Sequence, residues 1–304
     1  MFQILHGINV DWMRRRRIAY MISGLMMVVS LVSLVSRGGP RYGVDFTGGT
    51  LIEVVVSPAP SPDAVRDAMK AGGFPTAEIQ QRLDQPEHFI IRLGESKDGA
   101  DAGPAVLGAL KGIREDGSVR IFARETVGPR VGAELRGAAI KAVFLALGLI
   151  LLYVGIRYDW RYAMGAVLAL FHDVFITLGA FSLLDKEVTL TVVAAFLTLA
   201  GFSINDKVVV FDRIRERKQS LRRESPEKVM NLGINETLSR TIITNGTVAV
   251  TTLALFLFGG DVIHDFSFAM LVGAVIGTYS SLYVASALAL ELQLRFESAP
   301  PRKK

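Results

Sequence analysis

Six stretches of the chain are almost free of charge: residues 18–36, 138–156, 163–184, 188–211, 241–258 and 266–290. About 20 apolar residues of helix cross a hydrocarbon core about 30 Å thick. The pattern therefore predicts six transmembrane helices and excludes a soluble globular protein. Only Lys141, Asp173, Asp206 and Lys207 carry charge inside these stretches. The first follows the arginines at 14–17, as a secretory signal would. It is longer than the 7–15 apolar residues of such a signal and ends on the bulky Leu34-Val35, so it reads as a retained anchor.

Between the first two apolar stretches the pattern changes to short runs. Residues 51–56 are rich in β-branched residues and predict a strand; 78–83 and 88–93 predict two more separated by a turn at 84–86, and 119–126 predicts a fourth. Ser61-Pro62-Asp63 supplies an N-cap, a proline for the first turn and an acid beside it, which predicts a helix running to Gly72-Gly73. Residues 102–115 predict a second helix. The order βαββαβ is that of a ferredoxin-like sandwich. The expected fold class is thus an α-helical membrane protein with one α+β domain between its first two spans.

Composition alone hides this division. The chain is 50% hydrophobic and 21% charged, close to an ordinary soluble protein. The net charge of +5 matters through its placement. Basic residues cluster before span one, between spans two and three, between spans four and five, and after span six, 17 in all without Arg240 at the edge of span five. The two short loops on the opposite side hold only Lys186. By the positive-inside rule both termini are cytoplasmic, and the α+β segment is extracytoplasmic. The expected layout is a cytoplasmic N-terminus at 1–17, span one at 18–36, the exported domain at 37–137, spans two to six within 138–290 and a cytoplasmic tail at 291–304. The loop at 212–239 alternates both signs of charge. Ser225-Pro226-Glu227 within it predicts a short helix lying along the membrane before span five.

Topology and anionic lipid account for the positive charge, so nucleic acid is not an expected partner. Cysteine is absent, which excludes disulfides, thiolate metal sites and a cysteine nucleophile. Neither a phosphate-binding loop nor a zinc-protease motif occurs. The four histidines are scattered. No cofactor, metal or enzymatic activity is expected, and work done by this chain would draw on an ion gradient or a partner.

Ionisable residues within spans are costly and mark functional candidates. Asp206, near the end of span four, is the foremost, with Asn205 beside it. Lys207 is expected to snorkel toward the cytoplasm, leaving Asp206 to find its partner on another helix. Arg240 is the candidate, because positions 240, 244, 247 and 251 form a polar stripe on span five, widened by Thr241 and Asn245. A carboxylate in low dielectric holds its proton tightly, and a nearby guanidinium loosens it. An Asp206–Arg240 pair that forms and breaks would then bind and release protons, while a fixed structural pair is the alternative. His172-Asp173 in span three is a second site, for which an interhelical hydrogen-bonding role is equally open. Thr244 and Thr247 complete the expected polar path. Gly273 and Gly277 in span six mark a close helix approach.

Five motifs extend this reading. Residues 42–50 read YGVDFTGGT and 125–132 read ETVGPRVG. Residues 171–173 read FHD, 201–216 read GFSINDKVVVFDRIRE, and 236–245 read ETLSRTIITN. In this order and spacing they resemble the SecF family, the smaller half of the SecD–SecF protein-export membrane complex, in the resistance-nodulation-division (RND) superfamily. The resemblance covers essentially the whole chain. It implies a six-span half completed by SecD, working with the SecYEG channel to draw preprotein across the cytoplasmic (inner) membrane on a proton or sodium gradient. It implies that Asp206 and Arg240 are the ion-coupling pair. Asp45, Gly48 and Gly49 belong to a motif whose glycines turn the chain from span one into the first strand. A non-conducting scaffold subunit and half of an efflux or lipid exporter are the competing readings.

Overall fold

The computed structural model describes residues 9–82, 85–94, 102–113 and 118–297. It divides into two compact units. One is Tyr42–Ile140; the other joins the chain before it to the chain after it.

The smaller unit contains the predicted elements. Its strands are β1 (Gly49–Ser57), β2 (Glu78–Gln81), β3 (His88–Leu93) and β4 (Ser118–Val127), and its longer helices are α3 (Pro62–Ala71) and α4 (Ala102–Lys111). Leu83 and Asp84, at the end of the second predicted strand and in the predicted turn, and residues 114 and 115 of the second predicted helix lie outside the described residues. The sheet order is β2-β3-β1-β4, every pairing is antiparallel, and β1 lies opposite both β3 and β4. This is the ferredoxin-like arrangement. Ile52, Val54 and Val56 alternate along β1 and pack with Phe89, Ile91 and Leu93 of β3 against Val65, Met69, Val106 and Leu110 of the two helices. Ser61 caps α3 as predicted, its Oγ accepting from Ala64 N at 3.2 Å.

The sequence pattern did not foresee the short helix α2 (Val44–Thr47), with Asp45 in its first turn. It ends at Gly48, whose φ is +72°, and Gly49 follows at +119°. Here glycine is required twice over. Both backbones lie where side chains are strained, and both positions are crowded. A Cβ on Gly48 would lie 2.7 Å from Pro129 Cα, and one on Gly49 would lie 2.6 Å from the Leu93 carbonyl oxygen. A Cβ on Gly132 would come within 3.0 Å of Gly48 N. The two glycine motifs, far apart in sequence, thus close on each other in space.

The larger unit is a bundle of apolar helices. These are α1 (Arg16–Ser36), α5 (Pro129–Arg157), α6 (Trp160–Leu183), α7 (Leu190–Ser220), α8 (Pro226–Phe258) and a sixth segment made of α9 (Asp261–Tyr279), a π-helical turn (Ser280–Ala285) and α10 (Ser286–Glu297). All six are long and apolar enough to cross a membrane. Helix α5 begins in the smaller unit, well before its apolar stretch, and continues into the bundle. Small residues set the packing. Gly165 of α6 faces the π-helical turn so closely that a Cβ there would lie 3.0 Å from the Ala285 carbonyl oxygen, and Ala163, Ala166 and Ala169 are buried on the same helix. Outward positions such as Met21, Leu25, Phe144, Ile156 and Phe258 are exposed and apolar, as a lipid-facing surface requires.

The expected separate helix before span five is not formed. Ser225 does cap a helix, its Oγ accepting from Lys228 N at 3.4 Å, but α8 then runs unbroken for 33 residues, about 50 Å. Gly233 and Gly246 lie within the helix without breaking it, no proline follows Pro226, and α7 supplies a partner. Glu236 of α8 accepts from Arg213 and Arg217 of α7, each at 2.5 Å. The segment before span one joins this pair, Trp12 Nε1 donating to Asn235 Oδ1 at 2.9 Å and Met13 N to Asn231 Oδ1 at 3.0 Å.

Candidate ion-coupling site

Helix α7 carries Asp206 and Lys207 in succession, and successive residues on a helix point about 100° apart. The two charges therefore enter different environments. Asp206 turns to α8 and is 6% exposed. Thr241 Oγ1 donates to its Oδ1 at 2.9 Å, and Asn245 Nδ2 approaches its Oδ2 at 3.5 Å. Thr241 and Asn245 are one turn apart on α8, so they reach the carboxylate from the same face. Both donors are neutral. Among the described residues Asp206 forms no ion pair. The Oδ1 of Asn245 is buried beside it without a hydrogen-bond partner.

The expected contact between Asp206 and Arg240 is absent. The reason is the same helical geometry: the rotation that points Thr241 and Asn245 inward carries Arg240 outward. Arg240, Thr247 and Thr251 are exposed and Thr244 is half-buried. The threonine hydroxyls are spent on their own helix, Thr244 donating to the Arg240 carbonyl at 2.8 Å, Thr247 to the Thr244 carbonyl at 2.8 Å and Thr251 to the Thr247 carbonyl at 2.9 Å. On α7, Thr198, Gly201 and Asn205 are exposed as well. Two polar or small-residue stripes, one on each of two helices packed together, thus look out of the bundle at membrane depth.

Lys207 does not snorkel. It is wholly buried, and its Nζ lies 2.9 Å from Asp173 Oδ2. The ammonium also donates to Ser203 Oγ at 2.5 Å and Ser280 Oγ at 3.0 Å, and both hydroxyls donate to Asp173 Oδ2 at 2.7 Å. The other carboxylate oxygen, Asp173 Oδ1, lies 3.1 Å from His172 Nδ1. The Nε2 of His172 is buried and unpartnered. Glycines make this convergence possible. A Cβ on Gly273 would strike the Leu199 side chain at 2.4 Å, and one on Gly277 would meet Ser203 Oγ at 3.3 Å, so the close approach read from Gly273 and Gly277 brings α9 against α7. Sequence reasoning missed Lys207 and Ser280 as partners of Asp173. The signal for Lys207 was its position one turn after Ser203 and its sign opposite to Asp173, when unpaired charge at that depth is so costly.

Comparison with known proteins decides between the export and exporter readings. A family model described as the protein export membrane protein SecD/SecF, C-terminal, matches residues 109–295, and the SecD/SecF GG motif matches residues 32–60. The chain is 45% identical to the protein translocase subunit SecF of Vibrio alginolyticus, over 99% of this chain and 96% of that one. It belongs to the SecF family. The SecF of Escherichia coli O157:H7 is 43% identical, over 97% of this chain and 92% of its own. Among solved structures, SecDF from Thermus thermophilus, a translocon-associated membrane protein, superposes with a TM-score of 0.87 at 37% identity, over 97% of this chain. The SecF-family chain spans 40% of that longer SecDF chain. Its α2–β1 corner, with Gly48 and Gly49, is the GG motif, and the crowding at those glycines accounts for the residue type. A multi-pass inner-membrane translocase subunit follows from the family and the six apolar helices together.

Proposed function

We propose that this chain is the ion-responsive half of a SecD–SecF unit, with both termini cytoplasmic and the α+β unit exported. In this reading the SecD half seats on the outward stripes of α7 and α8, and the unit assists preprotein leaving the SecYEG channel. The observation that carries it is Asp206, a carboxylate at membrane depth held only by the neutral donors Thr241 and Asn245. Such a group has no cation beside it to fix its charge, unlike one clamped by a lysine. Protonation of Asp206 would weaken its hold on α8, and α8 also presents Arg240 outward. Turning α8 through about 100° would therefore trade an inward threonine and asparagine for an arginine. One charge moving through 100 mV supplies about 2.3 kcal/mol, enough to shift a two-state equilibrium more than tenfold.

The asymmetric surface supports the partnership. Exposed polar residues between lipid-facing helices are expensive in hydrocarbon and are satisfied by another polar helix face. The distribution of 17 basic residues against one supports the orientation. The test expresses Asp206→Asn and Arg240→Ala at the normal level and follows late-stage preprotein translocation with and without the ion gradient. Export that loses its gradient response while the complex stays assembled is the expected result. Unchanged gradient-dependent export in both variants would sink the coupling reading and leave a scaffold.

A further inference from the structure

The environment of Lys207 has a chemical meaning that its role as a salt-bridge partner does not exhaust. Its ammonium sits against three oxygens from three segments of the bundle: Asp173 Oδ2 of α6, Ser203 Oγ of α7 and Ser280 Oγ at the start of the π-helical turn. All four residues are at or near zero exposure. One carboxylate and converging hydroxyls are the donors a hard cation selects. Each hydroxyl points its hydrogen at the carboxylate and leaves a lone pair for the cation. Ser280 also lies 3.1 Å from the Gly277 carbonyl oxygen, so a further oxygen borders the site. The geometry is that of an ion cage whose ion is tethered.

We infer that Asp173, Ser203 and Ser280 form a monovalent-cation site in which the Lys207 ammonium is the permanent occupant, so that free sodium is shut out of it. The other buried carboxylate within the apolar spans among the described residues, Asp206, is left to answer the gradient by taking and releasing a proton. This consequence for the coupling ion rests on the gradient-coupling reading; the occupancy of the cage does not. The wider surroundings agree with a cation held in place. Asp173 Oδ1 faces His172 Nδ1, and among the described residues no second carboxylate pairs with Lys207 to draw its ammonium away. A tethered cation neutralises Asp173 in every state of the cycle without depending on the salt composition outside.

The cage predicts a gain of function. Removing the lysine side chain leaves the carboxylate, both hydroxyls and a space that sodium with its remaining waters can fill. The full chain, co-expressed with its SecD-type partner and purified as the complex, is unfolded thermally in sodium chloride and in choline chloride at equal ionic strength. The unsubstituted complex is expected to show the same midpoint in both. Lys207→Ala is expected to unfold about 4 °C higher in sodium, as a ligand at several times its dissociation constant requires. Adding Asp173→Asn is expected to abolish that difference. A Lys207→Ala complex as indifferent to sodium as its parent overturns the inference, as does sodium binding to the parent that Asp173→Asn removes. Should Lys207→Ala fail to accumulate, Lys207→Ser is read in the same way, and failure of both in sodium-rich medium also counts against the cage, because sodium should have replaced the lost charge. None of these readouts uses export. Failure of gradient coupling at Asp206 is thereby distinguished from failure of the cage.

Discussion

Asp173 and Asp206 are both buried aspartates within the bundle, on helices packed together, yet their surroundings are opposite. Asp173 is wholly enclosed, with a lysine, two serines and a histidine around it. Asp206 has one threonine and one long contact to an asparagine amide, and no cation. The lesson is that burial alone does not set what a carboxylate can do in the proposed cycle; the balance of its partners does. A carboxylate compensated on every side is an anchor, because both its charge and its hydrogen bonds are already settled. One held by neutral donors has no compensating charge beside it. Helix α7 joins the two, fastened through Lys207 to α6 and the sixth span and through Asp206 to α8.

The contrast breaks most sharply at the anchor. Lys207→Met, in conditions without sodium, should destabilise the chain by about 3–5 kcal/mol, since it strands a buried carboxylate. Asp173→Asn combined with Lys207→Met should recover most of that loss. Thermal unfolding of the singles and the double forms a cycle whose coupling energy measures the pair. If the single and double variants are equally unstable, Asp173 is not held by its lysine.

At the other acid the expected numbers are smaller. Thr241→Val removes the short hydrogen bond to Asp206 and should cost about 1–2 kcal/mol, read from the same unfolding curves. Asp206→Asn should change stability by about 1 kcal/mol or less, because its amide oxygen still accepts from Thr241 and its amide N–H can donate to the unpartnered Oδ1 of Asn245, while the gradient response of export is lost. A large loss of stability in Asp206→Asn would place it with Asp173 as an anchor and erase the comparison. The smallest effect is expected on the outward stripe. Thr247→Ala should leave the isolated chain within about 0.5 kcal/mol of the parent but reduce recovery of the SecD-type partner in co-purification.

Much of this was legible in the chain. The apolar stretches found every span, because crossing hydrocarbon demands a run of apolar helix whatever the neighbours are. The β-branched run at 51–56 and the turn before 88–93 found the central strands, and Ser61-Pro62 found the start of α3, for those signals are local. The expected elbow before span five failed because a cap marks where a helix begins and says nothing about where it stops. Asp206 could be picked out from its depth and sign. Its neighbours could not. Arg240 and Thr241 are adjacent, so a periodic polar pattern on α8 fits either face, and only packing against α7 decides which face turns inward.

Lys207 shows the same boundary from the other side. A lysine near a membrane edge can reach water along its own stem, so its sequence context favours snorkelling. In the folded bundle Gly273 and Gly277 let α9 approach α7, and Ser280 and Asp173 then offer a polar pocket closer than the surface. The sequence by itself determined the spans, the α+β domain and its strand order of appearance, the glycines of the tight corner and the presence of scarce charges at membrane depth. These depend on the chain's own periodicity and on the cost of leaving water. The tertiary structure alone decided which of those charges meet, since that is set by helix rotation and by approach distances between segments remote in sequence, to which no local pattern refers.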